Sequence, residues 1–416
     1  MADEFRRGDA LHHLQRGIVL ERANRIKEAV DAYRQALSQN PRLREAHNAL
    51  GVYYQRQGLL AKAAEEFRIV ASLESDFLAH FNLGYVLVEL GRYEEALHAF
   101  EQCLRLAPDD PATLYELGYI SYSRGDYHAA VERLQAPLRL YPDDWEIYNL
   151  LGSCYLGLRR FDDALAALGR ALVLASNVAD KAALLNQIAT VERHREFRSL
   201  GSAKDQMYAQ DGVVYLGSAQ DDGLQLREVD DYHFTYPDIG TTLQRLLALQ
   251  QGYRWQFNAV VALDKASRPL AQALARASDL PLCTANTLRP DMVALLVIAV
   301  AREPELLELT LERLPCQSAT FCLGLNWLRR SRVLPDMIGI AARNACSVPW
   351  EGELRRLRAD GAAPAQIESC LERATEAILA AVTDTPPDSN LPRQVRYYTR
   401  VHRRLSFPPT LPPSLS

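Results

Sequence analysis

The chain has 416 residues, of which 48% are hydrophobic and 24% are charged, and its formal net charge is −5. This length and apolar content are typical of a soluble protein with two or three packed domains. The negative charge argues against a protein that contacts nucleic-acid phosphates along its whole surface, so nucleic acid is not an expected partner.

The sequence shows no pattern for a membrane or a metal. Residues 2–7 lack an apolar run, so no secretory signal is expected, and the longest apolar stretch, residues 292–301, has half the length that a bilayer requires. The seven cysteines form no C-x-x-C pair, and the nine histidines have no metal-ligand spacing. We therefore expect a cytoplasmic protein with reduced cysteines, no metal and no cofactor.

Five glycines in the first half of the chain recur at intervals of 33 or 34 residues. Each is followed by an alanine twelve positions later and by a bulky apolar residue sixteen positions later, as at Gly84, Ala96 and Phe100. A fixed period of this length is typical of a solenoid of helix pairs. Because glycine costs about 0.5–1 kcal/mol in a helix interior, its recurrence indicates a close approach between the two helices of each pair.

These residues resemble the tetratricopeptide repeat, a helix–turn–helix unit, and residues 79–110 are a near-consensus copy. After a lead of residues 1–9, the resemblance implies an all-α solenoid of five repeats, at 10–43, 44–76, 77–110, 111–144 and 145–178. Residues 179–198 are expected to form a helix that caps the last repeat. Pro137 should kink or shorten the second helix of the fourth repeat.

In this family the first helix of each repeat lines a concave face, so the resemblance implies a groove for an extended segment of a partner protein. The candidate groove residues are Asn48, Arg56, Phe81, Asn82, Tyr85, Tyr115, Glu116, Tyr119, Tyr122 and Asn149. Asparagine can bond a peptide backbone, and tyrosine offers apolar area with a polar tip. Two alternatives stay open: the tyrosines pack between helices, or the groove is filled by the protein's own second half.

Beyond about residue 201 the period disappears, and short apolar runs alternate with helical segments. Strands are predicted at 259–263, 295–300 and 320–325. Helices are predicted at 241–251, from the residues after 269 through 278, and at 304–314. Such alternation predicts an α/β domain with a mostly parallel sheet, which we place at residues 212–382. Two short apolar runs around Asp221, Asp222 and Gly223 favour a hairpin.

Ligands of parallel sheets bind beyond the carboxyl ends of the strands. After the strand 259–263, the candidate anion-binding residues Lys265, Ser267 and Arg268 precede a helix, and Ser267 is predicted to cap it. Ordinary capping and solvation is the alternative interpretation.

This stretch resembles type I phosphoribosyltransferases, which implies nucleotide or phosphate binding. The acid pair and glycine-rich loop of that family are absent from residues 296–303. No catalytic residue is therefore predicted, and enzymatic activity is not the favoured hypothesis.

Residues 383–416 are predicted to hold a linker, a basic strip and a proline-rich tail. The strip, residues 393–404, contains Tyr397 and Tyr398 among its arginines. We expect either a strand or helix docked on the sheet, or a surface for RNA or an acidic partner.

The sequence therefore predicts a non-catalytic scaffold or adaptor that holds an extended partner segment in the groove of its repeats, with an α/β accessory domain. The alternative hypothesis is a nucleotide- or phosphate-binding domain, enzymatic or sensory, to which the repeats recruit a substrate protein. The pattern specifies neither the identity of the partner nor the oligomeric state.

Overall fold

The computed structural model describes residues 2–73, 76–226, 229–302, 304–326, 333–386 and 388–407. The chain divides into two compact units, Met1–Ile188 and Ala189–Ser416. Most of the predicted proline-rich tail, from residue 408 onward, lies outside the described residues.

The described part of the first unit is a stack of helix pairs. Its helices are α1 (Ala2–Arg22), α2 (Ile26–Gln39), α3 (Arg44–Arg56), α4 (Leu60–Leu73), α5 (Phe77–Glu89), α6 (Tyr93–Leu106), α7 (Pro111–Ser123), α8 (Tyr127–Leu140), α9 (Trp145–Gly157) and α10 (Phe161–Leu174). Each odd-numbered helix packs against the even-numbered helix that follows it. The predicted run of helix-pair repeats is confirmed.

Short local signals determine where these helices begin and end. The carboxylate of Asp110 accepts a hydrogen bond from the backbone N–H of Thr113 at 2.7 Å and so caps α7. Asp76 and Asp144 cap α5 and α9 in the same way. Gly91, in the turn between α5 and α6, has a φ of +71°, a conformation that other residues rarely adopt.

The recurring glycines lie where two helices meet. A Cβ atom added at Gly84 would lie 2.7 Å from Cε1 of Phe100, and both Phe100 and Ala96 are fully buried. The same contact joins Gly17 to Tyr33, Gly51 to Phe67, Gly118 to Leu134, and Gly152 to Leu168. The predicted close approach of the paired helices is confirmed in every repeat.

Pro137 does not shorten its helix. The helix α8 continues through Pro137 and has 14 residues, the same number as α6. Because Pro137 lies in the last turn of α8, its missing N–H removes a single hydrogen bond of the helix. The expectation of a shortened helix is therefore wrong.

The helix α11 (Val178–Arg195) occupies the residues for which a capping helix is predicted, and its capping role stays a prediction. The boundary between the two units falls within this helix. The second unit continues with further helices and a sheet. Its helices are α12 (Ala203–Asp211), α13 (Tyr236–Tyr253), α14 (Arg268–Ala277), α15 (Pro304–Arg313), α16 (Glu351–Ala359), α17 (Pro364–Asp384) and α18 (Leu391–Arg396). Its strands are β1 (Val214–Tyr215), β2 (Val229–His233), β3 (Ala259–Ala262), β4 (Leu282–Cys283), β5 (Val293–Ala301), β6 (Gln317–Asn326) and β7 (Met337–Ser347).

The strands form one sheet in the order β1-β7-β6-β5-β3-β4, and β2 also pairs with β7. All pairings between the described strands are parallel, so the predicted parallel sheet is confirmed. The three predicted strands correspond to β3, β5 and β6. The segment from Met337, which the sequence patterns did not identify as a strand, is the long strand β7.

Helices cover both faces of the sheet. Val260 of β3 belongs to a core shared with α13 and α14. Its neighbour Val261 belongs to a second core, to which α15 contributes Leu311. Because α14 leads from β3 to β4 in one direction across the sheet and α15 leads from β5 to β6 in the other direction, right-handed crossovers place the two helices on opposite faces.

The predicted hairpin around Asp221 and Gly223 does not form. The carboxylate of Asp221 accepts hydrogen bonds from the backbone N–H groups of Ser218 at 2.7 Å and Gly223 at 2.8 Å, so the segment does turn. However, residues 224–226 form no strand, and β1 pairs in parallel with β7 instead. That prediction is wrong because the partner of β1 is more than a hundred residues distant.

The tyrosines of the basic strip belong to the core of the second unit. The strip begins in α18 and continues as one π-helical turn, Tyr397–Val401. Tyr398 is 1% exposed, and its hydroxyl accepts a hydrogen bond from the N–H of Tyr215 at 2.8 Å. Of the two alternatives, the structure therefore agrees with a helix docked on the sheet.

Candidate binding sites

The candidate groove residues of the third to fifth repeats lie on neighbouring helices. The helix α7 contacts both α5 and α9, so the first helices of successive repeats form one continuous surface. This surface carries Tyr85, Tyr115, Glu116, Tyr119 and Asn149.

The aromatic residues of the groove fall into two groups. Phe81, Tyr115 and Tyr122 are partly buried and pack against the helical cores, as the packing alternative predicts. Tyr85 and Tyr119, in contrast, are 39% and 37% exposed. Two of the five aromatic side chains are therefore accessible to a partner.

Glu116 is the most unusual charged residue of this surface. Its side chain is largely buried, and it forms no hydrogen bond or ion pair with any residue that the structure describes. Burial, together with repulsion by Glu89, raises the pKa of Glu116 to about 7. An unpaired carboxylate in such a place is a strong acceptor for a cation or an N–H donor.

A cleft of about 320 Å³ opens beside Glu116, between the amino-terminal ends of α7 and α9. Tyr115, Glu116, Tyr141 and Glu146 line it, and no described lysine or arginine does so. The two aspartates of the cleft serve as helix caps, whereas Glu146 has no side-chain partner among the described residues. The cleft is therefore acidic and aromatic.

Two further observations place these groups in one electrostatic environment. The pKa of Tyr85 is raised by burial and then by repulsion from Glu89, Glu116 and Glu146. On α9, one turn after Glu146, the side-chain oxygen of Asn149 is buried and has no hydrogen-bond partner within the described structure. The surface thus has several acceptors that no described residue satisfies.

The remaining groove candidates lie further along the stack. Asn48 and Arg56 belong to α3, and Asn82 belongs to α5. Arg56 is exposed and lies 4.0 Å from the carboxylate of Glu21. None of the three lines the acidic cleft.

Sequence reasoning missed two acidic residues of this surface. Glu146 is the second residue of its repeat and Glu89 is the thirteenth of its repeat, and both positions are among those expected to face the groove. The repeat register therefore contained the signal for both residues.

The three candidate anion-binding residues of the second unit have different environments. The hydroxyl of Ser267 is fully buried and accepts a hydrogen bond from the backbone N–H of Ala299 at 2.8 Å, so it does not cap α14 as predicted. Arg268 forms an ion pair with Glu368 at 2.6 Å. Lys265 is exposed and lines a cavity. The structure thus does not bring the three together as one site.

The described residues include no cluster of histidine, cysteine, aspartate or glutamate side chains suited to a metal ion. Within the same ranges, no helix combines the length and the apolar character that crossing a bilayer requires.

Comparison with known proteins identifies the first unit. Family models described as tetratricopeptide repeat match residues 14–76, 77–110 and 115–180. Residues 14–180 are therefore a run of tetratricopeptide repeats, an architecture that provides extended surfaces for binding other proteins. The matched residues end at 180, so the resemblance of the second half to phosphoribosyltransferases stays a prediction.

Solved structures of other repeat proteins are similar to this part of the chain. The MamA protein is 22% identical, with 40% of this chain and 91% of that chain covered and a TM-score of 0.38. YrrB, described as a TPR protein with an unusual peptide-binding site, is 20% identical over 42% of this chain and 90% of its own, with a TM-score of 0.39. The structure of pilF from Pseudomonas aeruginosa is 23% identical over 46% of this chain and 87% of its own, with a TM-score of 0.37. These likenesses transfer no function, and no curated protein matches the chain.

Proposed function

We propose that this protein is a scaffold whose repeats bind an extended partner segment that presents a lysine or arginine side chain to Glu116. The observation that carries the proposal is the carboxylate of Glu116, which is largely buried and for which the described residues provide neither a partner nor a cation in the cleft.

The physical reason is the cost of leaving a buried carboxylate without a partner. Burial disfavours the ionised form, and hydrogen bonding to a cation reverses this effect. A guanidinium or ammonium group in the cleft satisfies Glu116 and also meets the exposed carboxylate of Glu146.

The exposed tyrosines provide the second element of recognition. Tyr119 lies about one turn after Glu116 on α7, and Tyr85 lies on the neighbouring helix α5, where burial and then nearby charges, including that of Glu116, raise its pKa. The ring faces of both tyrosines attract the same cations. Tyrosine also offers apolar contact area at a low cost in side-chain entropy. An arginine flanked by apolar residues satisfies all of these groups better than an acidic segment does.

The buried oxygen of Asn149 supports an extended backbone for the partner. It requires an N–H donor, and the described residues provide none. A peptide in extended conformation presents backbone N–H groups along its length, so the amide can hold the chain while Glu116 selects the side chain.

The test uses the full-length protein and an array of twelve-residue peptides that differ only in a central residue, which is arginine, lysine, norleucine or glutamate. We expect binding of the arginine and lysine peptides and at least tenfold weaker binding of the other two. The variant Glu116→Gln should remove this preference, whereas Glu132→Gln, an exposed carboxylate on α8, should retain it.

A second pair of variants separates the aromatic contribution. Replacing both Tyr85 and Tyr119 by alanine should weaken all bound peptides, while Val173→Ala, an exposed apolar site on α10, should not. Equal binding of the arginine and glutamate peptides, or an unchanged preference in Glu116→Gln, would contradict the proposal.

A further inference from the structure

The order of the strands creates a crevice in the second unit. If β3 to β7 are counted as strands one to five, the sheet has the doubly wound order 2-1-3-4-5. The connection from β3 through α14 to β4 runs in one direction along the strand order, and the connection from β5 through α15 to β6 runs in the opposite direction. The carboxyl ends of β3 and β5 therefore form a topological switch point, where sheets of this type hold ligands.

A cavity of about 470 Å³ lies at this point. Residues that follow β3, the last residues of β5 and the helix α16 line it. The volume is within the range of 300–1,000 Å³ that is common for small-molecule sites. It is large enough for an organic ligand and not only for an ion.

Two of the described cations in the cavity have no partner among the described residues. Glu351 forms ion pairs with Arg302 and with Arg355, the latter at 2.7 Å. The carboxylate of Asp264 accepts a hydrogen bond from the backbone N–H of Ser267 at 2.6 Å. Lys265 and Arg358 line the same cavity and form no hydrogen bond or ion pair with the described residues.

The remaining wall is apolar. Ile298 and Leu307 are each 3% exposed, and Leu354 is 2% exposed. An apolar wall beside two unpaired cations suits a ligand with an anionic group at one end and an apolar or planar body at the other.

The loop after β3 limits the kind of anion. It contains no glycine, and the N–H of Ser267 already bonds Asp264, so the backbone cannot wrap a pyrophosphate as a glycine-rich loop does. Side-chain cations are the available donors. We infer that this cavity binds a small organic phosphomonoester, with the phosphate held by Lys265 and Arg358 and the organic body against the apolar wall.

The experiment measures binding to the full-length protein by titration calorimetry and thermal unfolding. The probes are AMP, ribose 5-phosphate, ADP, adenosine and inorganic phosphate. We expect AMP or ribose 5-phosphate to bind and to raise the unfolding temperature, and their relative affinity distinguishes a nucleotide from a sugar phosphate. Adenosine and inorganic phosphate should bind at least tenfold more weakly than the better of the two.

The variants Lys265→Gln and Arg358→Gln should each weaken binding at least tenfold. Both side chains are exposed, so the unliganded variants should unfold at the temperature of the parent protein. The control is Arg289→Gln. Arg289 is exposed and precedes β5, at the amino-terminal end of the strands and so away from the cavity, and this variant should bind the ligands as the parent protein does.

Several results would overturn the inference. These are no binding of AMP or ribose 5-phosphate at millimolar concentration, equal binding of AMP and adenosine, tighter binding of ADP than of AMP, or full affinity in both glutamine variants. If inorganic phosphate bound as tightly as AMP or ribose 5-phosphate, the apolar wall would have no role in binding.

Discussion

Replacing Gly84 by alanine tests whether close helix contact is the reason for the recurring glycines. The new methyl group would lie 2.7 Å from Cε1 and 2.8 Å from Cζ of Phe100, roughly 1 Å inside ordinary van der Waals distance. The ring of Phe100 is fully buried and has the ring of Phe81 at 5.7 Å, so it has little room to move away. We therefore expect overpacking that destabilises this helix pair.

The magnitude follows from comparison with a second glycine. Any glycine-to-alanine change in a helix interior gains about 1 kcal/mol in helix propensity. Gly169, inside α10, has no atom within 4 Å of an added Cβ, so Gly169→Ala should show this gain alone. Overpacking costs about 1–3 kcal/mol, and this should be the difference between the two variants.

Hydrogen exchange of the full-length protein is the suitable assay, because a chain of two units need not unfold in one step. Peptides from α5 and α6 should exchange faster in Gly84→Ala, and those from α10 should exchange more slowly in Gly169→Ala. Adding Phe100→Leu should recover part of the loss, because leucine is the residue that faces Gly118 and Gly152. If Gly84→Ala is as stabilising as Gly169→Ala, close contact is not the reason for the glycine.

Three further predictions concern buried polar groups. Arg245→Met should destabilise the second unit by about 3–5 kcal/mol, measured by hydrogen exchange of its peptides, because the carboxylates of Asp221 and Asp388, at 2.7 and 2.8 Å from the guanidinium, lose their partner. Ser267→Ala should cost about 1–3 kcal/mol in the same assay, because a buried backbone N–H loses its acceptor. With a pKa of about 7 in the free protein, Glu116 releases a proton when it pairs with a cation, so an arginine peptide should bind about tenfold more tightly at pH 8 than at pH 6; Glu116→Gln should bind equally at both.

The helical repeats could be predicted from sequence because every determinant is local. The spacing from glycine to the residue sixteen positions later falls within one repeat, and contact between Gly84 and Phe100 follows from that spacing alone. The aspartate caps act over two or three residues. The signals for each helix pair thus lie within its own repeat, and the same signals recur in all five repeats.

The sheet was less predictable because its determinants are distant in sequence. Strands β3, β5 and β6 are apolar runs that the pattern identifies, whereas β7 contains Arg343 and Asn344 in its second half. The partner of β1 lies beyond residue 330, and no local signal indicates that pairing. The same is true of Tyr398, whose partner Tyr215 lies 183 residues away.

The two candidate sites also differ in whether their determinants are local or distant in sequence. Register within a repeat predicts that Tyr85, Tyr115, Glu116 and Tyr119 share a surface, and the structure places them on adjacent helices. In the second unit, Ser267 and Lys265 are two residues apart, yet one is buried in the core and the other lines a cavity. Sequence could not find Arg358 either, because its place in the cavity depends on how α16 packs.

The two sites also have opposite charge, and this makes them separable by experiment. Among the residues that the structure describes, the cleft of the repeats has unpaired carboxylates and no cations, whereas Lys265 and Arg358 in the cavity of the α/β unit have no partners. A basic peptide and a phosphomonoester should therefore each occupy one site and avoid the other, since placing like charges side by side costs free energy. Because added salt weakens both attractions, reduced binding at high salt cannot distinguish the sites. The charge-neutralising variants can: Glu116→Gln should affect the peptide alone, and Lys265→Gln should affect the phosphomonoester alone.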